Sequence, residues 1–194
     1  MILTSTVAAF VAVLMPAIAE EPVICPIMGS PIAADSAATD YNGVRYRYCC
    51  PGCKGTFEGD PAKALAKESN KGKVLGVSLF DPVARKPIVE KNSKASMDFG
   101  GVRYLFLSEE NLTKFKASPK TYATQPKKEV LFCPVQKEVV KDYASAGGYV
   151  DFEGARYYVC CAGCLGPLSA DPAKYAAGVK DKIQTPKPMT APKG

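Results

Sequence analysis

Residues Tyr46 to Phe57 read YRYCCPGCKGTF, and this stretch places three of the chain's eight cysteines within five residues. A close copy, YYVCCAGCLGPL, runs from Tyr157 to Leu168. Each copy has one lone cysteine well upstream, Cys25 in a CPIM setting and Cys133 in a CPVQ setting, so each set holds four thiols. Ahead of the first cluster, Gly43-Val44-Arg45-Tyr46-Arg47-Tyr48 is rich in β-branched and aromatic residues. That run predicts a strand entered through an Asn42-Gly43 turn. Pro51-Gly52 predicts a tight corner after the cysteines, and Cys53 to Phe57 the start of a short helix. A thiol at the strand end, Cys49, and another at a helix N-terminus, Cys53, can then converge on one ion. The helix dipole favours Cys53 as thiolate, the form that binds metal. Cys25 would close the site from a separate turn.

Composition sets the frame. The chain has 194 residues, and its 47% apolar content is enough to bury a core and excludes wholesale disorder. The net charge of +6 is spread along the chain, a pattern of ordinary surface charge, so no nucleic-acid partner is expected. Residues 2–15 are apolar apart from a few hydroxyls, and Pro16-Ala17-Ile18-Ala19 supplies a small-residue cleavage signature before Glu20. Residues 1–19 therefore read as a secretory signal peptide, with no arginine or lysine at the start. The apolar run is shorter than the roughly 20 residues that span a bilayer, so no membrane association is expected after cleavage. The mature protein is expected to be periplasmic or secreted. Cysteines in an oxidising compartment usually pair, which keeps a disulfide reading open beside a metal one.

Self-comparison gives three repeats. The turn-strand signal recurs at Gly43-Val44-Arg45-Tyr46, Gly101-Val102-Arg103-Tyr104 and Gly154-Ala155-Arg156-Tyr157. A helix signal follows at Phe57, Phe115 and Leu168, and three positions on come Asp60-Pro61, Ser118-Pro119 and Asp171-Pro172. Asp or Ser as N-cap with proline at the first helical position starts a second short helix. The repeats span residues 23–69, 77–123 and 130–177, with Asn70-Lys71-Gly72-Lys73 and Gln125-Pro126-Lys127-Lys128 as linkers and residues 180–194 as a disordered tail. In the middle repeat Asp81 stands where Cys133 stands in the third, and Leu107, Ser108 and Asn111 stand for Cys160, Cys161 and Cys164. Every thiol has gone while the glycine, tyrosine, phenylalanine and capped proline remain. Ser108 reads there as a helix N-cap.

Taken together, the C-P start, the Gly-x-x-Tyr strand, the C-C-x-x-C knuckle, the later Phe and the Asp-Pro turn resemble the YHS and TRASH domain family. The resemblance implies small treble-clef-like β-β-α modules tied to heavy-metal trafficking, resistance and sensing, the middle one of the cysteine-free type. It implies metal ligands at Cys25, Cys49 and Cys53, and at Cys133, Cys160 and Cys164. Many relatives carry a further cysteine three positions after the first, where this chain has Met28 and Gln136. The fourth ligand therefore stays open: Cys50 in the first repeat and Cys161 in the third could supply it, with Met28 a further candidate in the first. Three thiolates with a thioether would suit Cu(I), and four thiolates Zn(II). The chain has no histidine, which removes the commonest mixed zinc sites.

The expectation is an α+β protein of three tandem modules after a signal peptide. The first and third would bind up to two Zn(II) or Cu(I) ions through eight candidate thiols, Cys25, Cys49, Cys50, Cys53, Cys133, Cys160, Cys161 and Cys164. Its role would be non-enzymatic: to buffer a thiophilic ion or pass it to a metal transporter or another periplasmic protein. The competing reading is a scaffold stapled by disulfides. A weaker one is thiol-disulfide exchange at Cys50-Pro51-Gly52-Cys53, which lacks the βαβ setting of thioredoxin-like enzymes.

Overall fold

The computed structural model describes residues 20–33 and 35–192, so the expected signal peptide lies outside the described residues. The architecture is mixed α+β, with several small sheets and short helices. Strands β1 (Ala38–Tyr41) and β2 (Val44–Arg47) form a hairpin, followed by helices α1 (Pro51–Gly59) and α2 (Pro61–Leu65). Next come β3 (Gly76–Ser78), the short ribbon β4 (Phe80–Asp81) with β5 (Lys86–Pro87), and the hairpin β6 (Ala95–Phe99) with β7 (Val102–Phe106). Helices α3 (Glu109–Ala117) and α4 (Pro119–Tyr122) follow. The same order then returns as β8 (Lys128–Val130), the ribbon β9 (Phe132–Cys133) with β10 (Glu138–Val139), the hairpin β11 (Gly148–Phe152) with β12 (Ala155–Val159), and helices α5 (Leu165–Ala170) and α6 (Pro172–Ala177). A final strand, β13 (Met189–Thr190), ends the described chain.

All three hairpins turn on two residues with positive φ. Asn42 and Gly43 lie at 55° and 75°, Gly100 and Gly101 at 59° and 83°, and Glu153 and Gly154 at 48° and 77°. That double left-handed turn matches the right-handed twist of paired strands, which is why an Asn-Gly or Gly-Gly pair signals a hairpin. Directly across each ladder an arginine faces an aspartate: Arg45 opposite Asp40, Arg103 opposite Asp98, Arg156 opposite Asp151. Each pair is forked, with the arginine Nε and a terminal nitrogen donating to both carboxylate oxygens at 2.7–2.9 Å. The recurring arginine is thus a cross-strand clamp. Arg156 itself is buried, with its guanidinium 3.8 Å over the Tyr149 ring.

Asp60 and Asp171 cap α2 and α6 as the sequence implies, each accepting from a backbone N–H at Lys63 or Lys174. Ser118 occupies the same place before α4 but its side chain makes no cap hydrogen bond. Pro51 and Gly52, read as a corner, are instead the first residues of α1, with Cys50 as its N-cap in extended conformation. The corner is therefore made at the cysteine pair itself.

The first two hairpins merge into one six-stranded sheet, β13-β1-β2-β3-β7-β6. Strand β3 is the bond between them, antiparallel to β2 and parallel to β7. Gly76 permits the squeeze, because a Cβ there would lie 2.7 Å from Val44 Cγ1 and 2.9 Å from the Arg45 carbonyl oxygen. The third hairpin keeps its own sheet, β11-β12-β8, with β8 parallel to β12. Two apolar cores result. One is centred on Phe57 and Phe115 and spans the first two hairpins; the other is centred on Tyr158 and Leu168, with Phe80 reaching in from the middle of the chain.

Two expectations need correction. The tail is not disordered over its described part: the backbone of Gln184 exchanges two hydrogen bonds with that of Glu129, and β13 pairs with β1. An unpaired edge strand is a liability, and here the chain's own end covers it. The polar Asn70 stretch is not a passive linker either. Asn70 is buried, and its amide donates to the carbonyls of Pro26 and Ala64 at 2.9 Å, pinning the turn that carries Cys25.

Candidate metal centre

The first candidate centre is built from three elements. Cys25 sits in a tight turn closed by Gly29 N–H donating to the Cys25 carbonyl at 2.8 Å. Cys49 lies just after β2 has ended, and Cys53 in the first turn of α1. Their sulfurs all lie within 4.8 Å of one another, with Cys49 Sγ 3.7 Å from Cys53 Sγ. The second centre repeats this at Cys133, Cys160 and Cys164, with Cys160 Sγ 4.0 Å from Cys164 Sγ. Two thiolates on one tetrahedral ion with metal–sulfur bonds of about 2.3 Å stand about 3.8 Å apart, so both sets fit a single thiophilic ion. In each set one thiol is open to solvent, at Cys49 and partly at Cys160, while the other two are buried.

Not all candidate thiols join these groups. Cys50 and Cys161 stand outside them on the exposed surface. Their sulfurs lie only 3.1 Å and 3.3 Å from Cys53 and Cys164, nearer than neighbouring ligands of one tetrahedral ion. The strand has ended there, and Cys50 and Cys161, both extended, hold the cap positions ahead of the helical turns that carry Cys53 and Cys164. Met28 is 67% exposed, with its side chain largely in water.

The protein supplies a feature that cysteine spacing does not reveal: a nest of backbone amides around the lone cysteine. Burial raises the Cys25 thiol, and N–H donors from Cys49, Met28 and Ile27 more than offset it, leaving its pKa below the ordinary value. Burial likewise raises Cys133, and N–H donors from Gln136, Cys160 and Val135 bring it below the ordinary value; the Gln136 contact is 3.5 Å. Met28 and Gln136 thus bear on the lone cysteines through their backbone amides. The middle of the chain has the same nest around a different anion. Asp81 is fully buried; its Oδ1 accepts from the backbone N–H of Val83 and Ala84, both at 2.9 Å, and its Oδ2 from Leu107 N–H at 2.8 Å and the Asn111 amide at 2.7 Å. Donors two and three residues on, and from the end of the second strand, coincide position by position with those at Cys25 and Cys133. One carboxylate therefore ties together the turn, the strand end and the helix, as a shared ion would in the cysteine sets.

The other thiols of the two triads respond in the opposite sense. Burial, then the neighbouring cysteines, push up Cys53 and Cys160, and burial followed by Cys161 pushes Cys164 up to about 11. Cys49 is raised as well, by desolvation and by the neighbouring Cys25. Three close thiols cannot all carry charge without a cation, and the lone cysteine is the triad member whose surroundings favour the thiolate. Because the folded pKa of Cys25 and Cys133 is depressed, their thiolate contribution to stability is present above the unfolded pKa and is lost as pH falls through the folded one. A coordinated cation reverses the order for the rest, since bound thiols are deprotonated. Loading Zn(II) between the folded pKa of the lone cysteines and those of their partners is therefore expected to release about two protons per site rather than three. Calorimetry in buffers of different ionisation enthalpy measures this; release of none would contradict thiolate ligation.

Gly147 bears directly on the second centre. Its amide donates to the Val159 carbonyl at 2.7 Å, and a Cβ on it would fall on the Cys161 backbone and 2.6 Å from Ala162 N. Gly147→Ala is expected to cost on the order of 1–3 kcal/mol and to weaken metal binding at the second centre alone, read by unfolding and by metal titration. Equal weakening of both centres would contradict this placement.

Among known families, the YHS domain matches residues 79–126, about a quarter of the chain and a stretch without the Cys25 or Cys160 clusters. No curated protein and no solved structure matches the chain.

Proposed function

We propose, from the YHS match and the two thiol groups, that this chain is three tandem YHS-type treble-clef-like units and that it binds thiophilic heavy-metal ions without catalysing a reaction. The outer units would each hold one ion, Zn(II) or Cu(I), while the middle unit is structural. The observation that carries this reading is the convergence of three sulfurs within 4.8 Å of one another in two places, Cys25 with Cys49 and Cys53 and Cys133 with Cys160 and Cys164, where the middle stretch sets the buried Asp81 carboxylate among backbone amides. Cys25, Cys49 and Cys53 would hold one ion, and Cys133, Cys160 and Cys164 the other. Three thiolates leave a fourth position open to water or an incoming ligand, on the side where Cys49 and Cys160 are accessible. Such a site passes an ion on by stepwise thiolate exchange, which suits buffering and hand-over to a transporter or another protein. The apolar start of the sequence supports export to the periplasm or beyond.

Cobalt(II) tests the ligand set. Titrated into reduced protein, it is expected to give sulfur-to-metal charge-transfer absorption that saturates at two equivalents. Cys49→Ser should remove one equivalent, and Cys49→Ser with Cys160→Ser both. Charge-transfer absorption that survives the double variant would contradict the assignment.

A further inference from the structure

Cys53 and Cys164 each face two ways. On one side they complete a three-thiol group, and on the other each meets an exposed thiol three residues earlier. The Cys50–Cys53 and Cys161–Cys164 sulfurs, at 3.1 and 3.3 Å, need to move by only about 1 Å to reach a disulfide bond length. The exposed member of each pair is open to attack on a reagent in solution, and the buried member is the one the ion needs.

We propose that each C-x-x-C pair is a thiol-disulfide switch that shares its buried sulfur with the neighbouring metal centre, so that closing the disulfide expels the ion. The inference rests on the reading of the two triads as metal sites. The oxidant is a low-molecular-weight disulfide, RSSR. The Cys50 sulfur attacks one sulfur of RSSR, the S–S bond breaks, and the first RS⁻ leaves with the proton that Cys50 gave up. The Cys53 thiolate then leaves the ion and attacks the Cys50 sulfur of the mixed disulfide. The second RS⁻ departs and takes a proton from water. Two electrons pass from the cysteine pair to RSSR, giving one protein disulfide and two RSH. Cys25 and Cys49 alone remain at the ion, which is lost to any competing chelator. Cys161 and Cys164 act in the same way on the second centre. Reduction of the disulfide returns Cys53 or Cys164 to its triad and restores binding.

The pairing predicts which disulfide forms. Cys49 stands 3.7 Å from Cys53 and Cys160 4.0 Å from Cys164, farther than the exposed partners, and both are engaged by the ion. The test uses the full chain loaded with Zn(II), challenged with oxidised glutathione in the presence of a chromophoric zinc chelator, beside the double variant Cys50→Ser/Cys161→Ser. The expected result is zinc release from the wild-type chain at least about tenfold faster than from the variant, with bridges mapped by mass spectrometry to Cys50–Cys53 and Cys161–Cys164. Reduction should restore two-site binding. Equal release rates, or bridges mapped to Cys49–Cys53 and Cys160–Cys164, would overturn the switch while leaving the metal sites standing. A wild-type chain that takes up no zinc before oxidant is added would overturn both the metal reading and the switch.

Discussion

Replacing Asp81 with alanine is expected to destabilise the protein by on the order of 3–5 kcal/mol, among the largest effects of any single substitution that touches no cysteine. The carboxylate is fully buried and accepts four hydrogen bonds, three from backbone amides and one from Asn111. Alanine leaves those donors in a space closed to other partners, and each buried donor left unpaired costs on the order of 1–3 kcal/mol. The lesion also severs the turn at Val83 and Ala84 from β7 and α3, which pack around Phe106 and Phe115. Asp81→Asn keeps one acceptor oxygen but sets an amide NH₂ against N–H donors, so its loss should be nearly as large. Asp81→Cys restores a single anionic acceptor to the nest and should recover part of the stability. Urea unfolding at neutral pH reads all three, and a loss below about 1 kcal/mol for alanine would show that the nest does not fasten the middle of the chain.

The second large effect concerns metal. Cys133→Ala is expected to abolish binding at the second centre and leave the first intact, lowering the stoichiometry from two ions to one. Cys133 is fully buried and its sulfur accepts from the Gln136 N–H at 3.5 Å, so its removal costs a ligand and leaves that amide facing nothing. The affinity there should fall by at least about 10²-fold, more than the loss of an outer-shell partner usually costs. Zinc at about a thousandfold excess over its dissociation constant stabilises a site by about 4 kcal/mol, so the variant should lose the corresponding rise in melting temperature that the second centre provides. Cys161→Ser is the control: its sulfur lies outside the triad and it should retain two ions under reducing conditions. If Cys161→Ser loses the ion as fully as Cys133→Ala, the triad assignment is wrong.

Much of this was legible in local sequence because its causes are local. The hairpin turns follow from residues that tolerate positive φ, and the helix starts from Asp-Pro pairs whose caps form as expected at Asp60 and Asp171. The convergence of Cys49 with Cys53 follows from a strand ending just before a helix. What could not be read depends on distant partners. Strand β3 shares its two edges with β2 and β7, which fuses two hairpins into one sheet, and nothing in Gly76-Val77-Ser78 announces both neighbours. The tail looks disordered by composition, yet Gln184 and Met189 find backbone partners in Glu129 and β1. The amide nest is invisible for another reason: it is made of backbone, so Gln136 looks like a missing ligand when its N–H reaches the Cys133 sulfur. Its one sequence signature was Asp81 in the place of the lone cysteine, an acceptor exchanged for an acceptor.

The most direct test is native mass spectrometry of the full chain, reduced, stripped with chelator and then supplied with excess Zn(II). Two ions per chain, falling to one in Cys49→Ser and to none when Cys160→Ser is added, is the predicted result. A reduced chain that stays metal-free under excess Zn(II) would contradict it in favour of a stapled scaffold.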